Sequence, residues 1–319
     1  MRNMMVPHPD AFAANSSEMH AFAAKVHSSF LASKSRAYQT LVAPYWSVEQ
    51  HLINSTNSQR HIRLNVHRWR NKSTRSSQQP HLVLWAHGGG MVMPEGRYGD
   101  PSIELFRAFG PALVVVDVDY ALAPQHPCPA AAQDTIDAFE WAHEHAADLG
   151  ASTPLTMLGS SAGGNLAAVV AQHAARHNTP LRSAAVLWPM IHNSFTSASY
   201  SSFVNGPGLT TDWMRFFWMA YCPTAATNVC DDWRCTPLTP GKQMLASLAS
   251  THAYTDVITC ASDVLRDDGR EYAAAMRAAG VQVNHIELEG GHGCLQAFKE
   301  PMRSQRMAHL LPRSLGVRL

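Results

Sequence analysis

From residue 81 onward, short apolar segments bounded by glycine and proline alternate with longer alanine-rich segments. The apolar segments are Leu82–Ala86, Leu113–Val118, Leu155–Leu158, Ala184–Trp188, Val257–Ala261 and Val281–Leu288. The segments with helical spacing are Ala130–Asp148, Ala162–His177 and Asp267–Ala279, the last stopped by Gly280. Uniformly apolar strands joined by crossover helices are typical of a parallel sheet covered on both faces. The pattern therefore predicts a doubly wound α/β fold.

The N-terminal part and one insertion do not follow this alternation. Apolar residues recur at helical spacing near the N-terminus, at Met19, Phe22, Val26 and Phe30, which predicts helix over the first ~50 residues. Segment His61–His67 alternates polar and apolar residues, which predicts a half-exposed antiparallel strand. Residues 190–245 are rich in serine, threonine and aromatic residues. We predict a single domain over residues 1–319, with cap elements at about 1–50 and 190–245.

Composition excludes several classes of protein. The 25 Lys and Arg residues nearly balance 24 Asp and Glu, which leaves no basic surplus for nucleic acid. No apolar stretch approaches the ~18 residues of a membrane span, and the N-terminus shows no secretory pattern, so we expect a cytoplasmic protein. Six cysteines without CxxC spacing predict neither a disulfide scaffold nor a zinc site.

Segment 159–163 reads Gly-Ser-Ser-Ala-Gly and fits the pattern G-x-S-x-G between a predicted strand and a predicted helix. A nucleophile on such a sharp turn needs small neighbours, and the helix N-terminus supplies positive potential to a developing anion. The spacing makes Ser161, rather than Ser160, the candidate nucleophile. The alternative is a plain strand–helix turn with no catalytic role.

Three consecutive glycines follow His87 directly after another predicted strand. Such a segment lets the backbone approach a substrate closely and direct its N–H groups at one point, as the oxyanion of an acyl-transfer reaction requires. A glycine-rich turn without function is the alternative. The pairing of this segment with the serine motif favours the functional interpretation.

Three ordered motifs carry a family resemblance. They are HGGG at 87–90, DYxLAPxxPxPAA at 119–131 and GSSAGGNLA at 159–167. Their order resembles the hormone-sensitive-lipase-like group of α/β-hydrolase esterases, and the likeness extends from about residue 80 to residue 300. The resemblance implies an α/β-hydrolase fold, with a mostly parallel sheet and a helical cap from the N-terminus and the insertion.

The resemblance also implies the remaining catalytic residues. Segment 263–269, Asp-Val-Leu-Arg-Asp-Asp-Gly, is similar to the segment that carries the family's acid, which assigns that role to Asp263. Asp267 and Asp268 fit a helix N-cap better. His292 lies among glycines after the last predicted strand, as the family's general base does, and the order Ser, Asp, His is that of this fold. The chain has 18 histidines, most of them expected at the surface or in structural positions.

The oxyanion hole and the substrate pocket complete the implied site. The family pattern assigns the oxyanion donors to the backbone N–H groups of Gly89, Gly90 and Ala162. The sequence departs from the family at four positions, namely Ser160, Met91, Val264 and Cys294. The candidate substrate-binding residues are Met91, Trp213, Phe217 and Cys294. The aromatic residues at 213–221 recur at helical spacing, so they form either the core of a cap helix or a wall for the acyl chain, or both.

Together these features predict a serine hydrolase that cleaves carboxylic esters of small or medium acyl groups through an acyl-enzyme, without metal or organic cofactor. A thioesterase, an acyl-transferring or ring-closing hydrolase, a deacetylase, and a lactone or amide hydrolase remain alternatives. From another class, a non-catalytic small-molecule receptor of the same fold is the alternative, although such a receptor typically lacks one member of the triad. The oligomeric state is left open, with a homodimer as one possibility, since related esterases are often dimers.

Overall fold

The computed structural model describes residues 16–71, 78–94, 101–223, 230–238, 245, 248–249, 254–297, 302–311 and 313–315. Its eight strands are β1 Trp46–Asn54, β2 His61–Trp69, β3 His81–Ala86, β4 Leu113–Asp119, β5 Ser152–Ser160, β6 Ser183–Leu187, β7 Thr255–Cys260 and β8 Val283–Leu288. They form one sheet in the order β1-β2-β4-β3-β5-β6-β7-β8. Strand β2 is antiparallel to both of its neighbours, and the pairs from β4 to β8 are all parallel. This is the mostly parallel, doubly wound sheet that the sequence predicts.

The helices cover both faces of the sheet. They are α1 Ser17–Leu41, α2 Ala130–Glu144, α3 Ala162–His177, α4 Ala198–Ser202, α5 Thr211–Tyr221, α6 Arg266–Ala278 and α7 Met302–Leu310. Along β3, Leu82 and Leu84 join the core under α2 and α3, whereas Val83 and Trp85 join the core on the side of α7. All six β3 residues are buried, which explains the continuous apolar run.

The N-terminal region differs from the prediction of a helix up to about residue 50. Helix α1 ends at Leu41, and residues 46–54 form β1, which pairs along its whole length with β2. Strand β1 is a partly exposed sheet edge, with Leu52 66% exposed, so it has no apolar face that a pattern could show. Within α1, Met19 and Val26 are buried as their spacing predicts. The side chain of Phe30 lies outside the described residues.

The prediction that the cysteines form no disulfide scaffold is wrong, because all six of them are paired in disulfides. The pairs are Cys128–Cys235, Cys222–Cys230 and Cys260–Cys294. Two pairs join residues 107 and 34 positions apart in sequence, so short-range spacing could not indicate them. Disulfides persist in oxidising compartments, which is at odds with the cytoplasmic expectation, and that expectation stays a prediction.

No helix within the described ranges is both long and apolar enough to cross a bilayer.

Candidate active site

Ser161 occupies a strained turn between β5 and α3. Its φ is 56° and its ψ −116°, an unusual backbone conformation for a residue with a side chain. The turn depends on Gly159 and Gly163: a β-carbon on Gly159 would lie 2.0 Å from the carbonyl oxygen of Gly163, and one on Gly163 would lie 1.9 Å from that of Ala86. Side chains at these two positions would push the strand and the helix apart. The close packing at this turn therefore explains why the G-x-S-x-G motif has glycine at positions 159 and 163.

Three side chains distant in sequence meet at this turn. His292 Nε2 lies 3.0 Å from Ser161 Oγ, and His292 Nδ1 lies 2.8 Å from Asp263 Oδ2. The other oxygen of Asp263, Oδ1, accepts a hydrogen bond of 3.1 Å from the backbone N–H of Leu265. Asp263 is 1% exposed and Ser161 8%, so the contacts are largely shielded from water. The arrangement can transfer a proton from the hydroxyl to an imidazole that a carboxylate orients.

The loop that carries His292 is held from two sides. On the sheet side, the N–H of Ser262 donates to the carbonyl of Gly290 at 2.9 Å. On the cap side, the N–H of His292 donates to the carbonyl of Pro207 at 3.2 Å. Pro207 belongs to the turn between α4 and α5, so the insertion supports the histidine directly. Sequence reasoning did not single out this residue, because a backbone carbonyl acceptor has no sequence signal.

The glycine loop passes directly beside the nucleophile. A β-carbon on Gly88 would lie 3.4 Å from Ser161 Cβ, and the φ angles of Gly89 and Gly90 are +108° and +62°. Tyr120 explains part of the second sequence motif, since its hydroxyl donates to the carbonyl of His87 at 2.8 Å and its ring stacks on the imidazole of His87 at 4.1 Å. The Pro-rich segment therefore holds the glycine loop in place.

The candidate pocket residues have different environments. Phe217 and Trp213 are 3% and 4% exposed, their ring centroids lie 5.3 Å apart, and the ring of Phe217 packs on Gly90. Met91 is fully buried, and its carbonyl accepts a hydrogen bond from the N–H of Ala123. Cys294 is bonded to Cys260 and buried in the core, which argues against its predicted place in the substrate pocket. Phe217 is the member of this set that contacts the glycine loop.

The cap helix α5 packs on α1 through aromatic rings. Phe22 of α1 contacts Phe216 edge to face, with centroids 5.0 Å apart, and lies 6.2 Å from Trp213. These contacts agree with a role of the aromatic cluster as helix core, since Phe216 is fully buried. Phe217, on a neighbouring face of α5, meets the glycine loop. The core interpretation therefore holds for Phe216, and the role of Phe217 as a wall for the acyl chain stays a prediction.

Two further aspartates lie near Asp263 but face other partners. Asp268 is fully buried, and burial, the largest cause, raises its pKa to about 7 although the N–H of Ile191 donates to it at 3.2 Å. Asp267 accepts a hydrogen bond of 2.8 Å from the N–H of Ser199 in α4. The expectation that they cap their own helix does not hold, because α6 begins at Arg266 and has no side-chain cap. Of these three aspartates, Asp263 is the one that contacts His292.

Comparisons with known proteins agree with this fold. A family model described as alpha/beta hydrolase fold matches residues 83–296. Carboxylic ester hydrolase LipN of Mycobacterium tuberculosis is 36% identical over 227 residues, which cover 68% of this chain and 58% of that protein. Carboxylesterase NlhH of the same organism is 35% identical over 205 residues, with 63% and 62% covered. The chain thus spans about three fifths of the length of these relatives.

A solved structure of an esterase from Pyrobaculum calidifontis has a TM-score of 0.77 at 25% identity, with 96% of this chain and 94% of that chain covered. Fold and site together define an α/β hydrolase with a serine, a histidine and an aspartate in contact. The chain belongs to the alpha/beta hydrolase fold family, in its hormone-sensitive-lipase-like group.

Proposed function

We propose that this protein is a carboxylic ester hydrolase that works through an acyl-enzyme on Ser161. The observation that carries the proposal is the continuous contact from Ser161 Oγ through His292 to Asp263, with separations of 3.0 and 2.8 Å. A hydroxyl, an imidazole and a buried carboxylate in this order form the relay of serine hydrolases. The names of the relatives, an ester hydrolase and a carboxylesterase, support the same reaction class.

In the first half-reaction, Ser161 Oγ attacks the ester carbonyl carbon while its proton passes to His292 Nε2. Asp263 accepts the hydrogen bond of Nδ1–H, which fixes the ring orientation and stabilises the imidazolium that forms. The carbonyl oxygen becomes an oxyanion, and we assign its donors to the backbone N–H groups of Gly89, Gly90 and Ala162. Collapse of the tetrahedral intermediate releases the alcohol, which takes the proton from His292.

In the second half-reaction, a water molecule attacks the acyl-enzyme. His292 Nε2 removes a proton from that water and then returns it to Ser161 Oγ as the acid leaves. The same oxyanion donors act again. Because preorganised donors need no rearrangement during the reaction, each one typically contributes about 10²- to 10³-fold to turnover.

The test compares two adjacent serines. Ser161→Ala should lower kcat for a p-nitrophenyl ester by about 10⁴-fold or more, and should abolish covalent labelling by a fluorophosphonate. Ser160→Ala is the matched control, since Ser160 ends β5 and is buried like its neighbour, whereas the hydroxyl that faces His292 Nε2 belongs to Ser161. This control should retain turnover and labelling. Labelling at Ser160 in the unaltered protein would overturn the proposal.

A further inference from the structure

The Cys260–Cys294 disulfide joins the two loops that carry the proposed acid and base. Cys260 is the last residue of β7, three positions before Asp263, and Cys294 lies two positions after His292. We propose that this bond positions His292 for catalysis, by holding its loop against the loop of Asp263. The inference rests on the proposed function, because it concerns the geometry of the same relay.

The loop that carries His292, residues 290–293, is rich in glycine, so a contact from outside the loop is needed to fix its conformation. Three of the residues at 290–293 are glycines, and Gly290 and Gly293 have φ angles of +116° and +76°. Glycine gives an unrestrained chain the widest choice of conformations, so ordering such a loop has a large entropic cost. A covalent bond directly after the loop removes much of that freedom before any substrate binds.

The disulfide provides a rigid anchor because both of its ends are buried. Cys260 is fully buried and Cys294 is 2% exposed, and both belong to the core on the side of α7. The N–H of Cys294 lies 3.2 Å from Cys260 Sγ, so the loop approaches the strand end closely. At the other end of the loop, the N–H of Ala261 donates to the carbonyl of Leu288 at 2.8 Å. His292 is therefore held between two fixed points, one of them covalent.

Two other contacts hold the loop, namely the hydrogen bond of 2.9 Å from the N–H of Ser262 to the carbonyl of Gly290 and a contact with the cap. The N–H of His292 donates to Pro207, and a β-carbon on Gly291 would lie 2.3 Å from the Pro207 carbonyl oxygen. The cap contact limits movement toward the cap, and the Ser262 hydrogen bond holds the loop before His292, so neither replaces the disulfide that holds it after His292. Loss of the disulfide should therefore let the imidazole drift from Ser161 Oγ and from Asp263, while the glycine loop and Phe217 keep their positions.

The predicted signature is a loss in kcat with little change in KM. A displacement of about 1 Å in a catalytic group can lower the rate about 10²-fold, so we expect kcat to fall about 10- to 100-fold. KM should stay within about twofold, because the residues proposed to hold the substrate are not attached to the bond. A purely structural disulfide would lower the melting temperature without this split.

The experiment compares Cys260→Ser, Cys294→Ser and the double variant. Each single change breaks the same bond, so all three proteins should show the same loss in kcat. If the two cysteines acted independently, the loss in the double variant would instead be the product of the two single losses. The matched control is Cys222→Ser with Cys230→Ser, which removes another buried disulfide at the end of α5. This control should keep kcat. All rates are measured well below the melting temperature of each protein.

The outcomes separate this inference from the proposed function. Failure of a fluorophosphonate to label the unaltered protein would overturn the proposed function itself. If that protein is labelled and active, an unchanged kcat in the double variant, or single-variant losses that multiply, would overturn the inference alone. Should the serine pair fail to fold, Cys260→Ala with Cys294→Val restores apolar packing without the bond. Full activity of this pair would show that the bond has no positioning role. Its failure to fold would make the bond a requirement of the fold itself, which would also overturn the inference.

Discussion

The ring of Phe217 lies directly against Gly90, so that a β-carbon at Gly90 would come within 2.2 Å of the ring. The φ of Gly90 is +62°, which is also unfavourable for any residue with a side chain. We expect Gly90→Ala to displace the proposed oxyanion donor and to lower kcat by about 10²-fold or more in an esterase assay.

Gly150→Ala is the control for Gly90→Ala, because Gly150 has a similar φ of +67° but no atom within 4 Å of an added β-carbon. It should retain activity. Adding Phe217→Ala to Gly90→Ala removes the obstructing ring and should restore part of the lost rate. A double variant as inactive as Gly90→Ala alone would show that backbone strain, and not the ring, causes the loss.

Asp263 and Asp267 should differ in their effect on turnover. Asp263→Asn removes the carboxylate 2.8 Å from His292 Nδ1 and should lower kcat about 10⁴-fold. Asp267→Asn loses the ion pairs with Arg266 and Arg270 and should keep kcat close to that of the unaltered protein. Steady-state kinetics on both variants checks the ranking, and the reverse order would assign the acid to Asp267.

Asp134 should contribute strongly to stability. It is 1% exposed at its side chain and binds Arg60 through two hydrogen bonds of 2.9 and 2.8 Å, which ties the turn between β1 and β2 to α2. It also accepts from the N–H of Ala121. Asp134→Ala leaves these donors unpaired and should lower the free energy of unfolding by about 3 kcal/mol in urea titrations.

The control for Asp134→Ala is Asp232→Ala. Asp232 pairs with Arg234, and both side chains are 31% exposed. A solvated pair of this kind contributes about 1 kcal/mol or less. Equal losses for the two variants would contradict the view that burial makes the Asp134 contacts strong.

His81 should give the free energy of unfolding a dependence on pH. Burial, with a smaller effect of Arg182, lowers its pKa from 6.5 to about 4. The unfolded chain therefore binds more protons between these values, and the free energy of unfolding should decrease as the pH falls from about 6.5 to about 4. His81→Gln removes the titrating group, so the variant should lose less stability over this window.

Urea titrations at several pH values measure this difference. His61→Gln is the control, because His61 lies on β2 with its side chain exposed. As a substitution at the surface, it should change the free energy of unfolding at neutral pH by no more than about 0.5 kcal/mol. Equal slopes for His81→Gln and the unaltered protein would contradict the prediction.

The parallel part of the fold could be predicted because its strands are buried on both faces. Helix α3 is found at the predicted bounds, Ala162–His177, since the serine motif marks its beginning and its alanine-rich sequence continues without a break. Strand β1 could not be predicted, because a partly exposed edge strand is fixed by its pairing with β2 and not by its own pattern. Sheet edges carry less sequence information than sheet centres.

The side chains of the candidate site could be named from sequence motifs, whereas the residues that hold those side chains in place could not. Tyr120 lies within a recognised motif, but its hydrogen bond to His87 requires the folded loop. The carbonyl of Pro207 and the disulfide partners of Cys128 and Cys294 are likewise set by tertiary contacts between distant segments. Pairing of cysteines over such separations follows from topology alone.

Strands β5 and β6, helix α3 and Ser161 all lie within the covalent loop that Cys128 and Cys235 close across 107 positions. A chain denatured in urea with this bond intact cannot expand as a linear polymer, because about a third of it is constrained to a ring. Loop-closure theory attributes about 4.7 kcal/mol to a ring of roughly 100 residues. The oxidised polypeptide should therefore keep smaller denatured dimensions than the reduced one, even where the two native folds coincide.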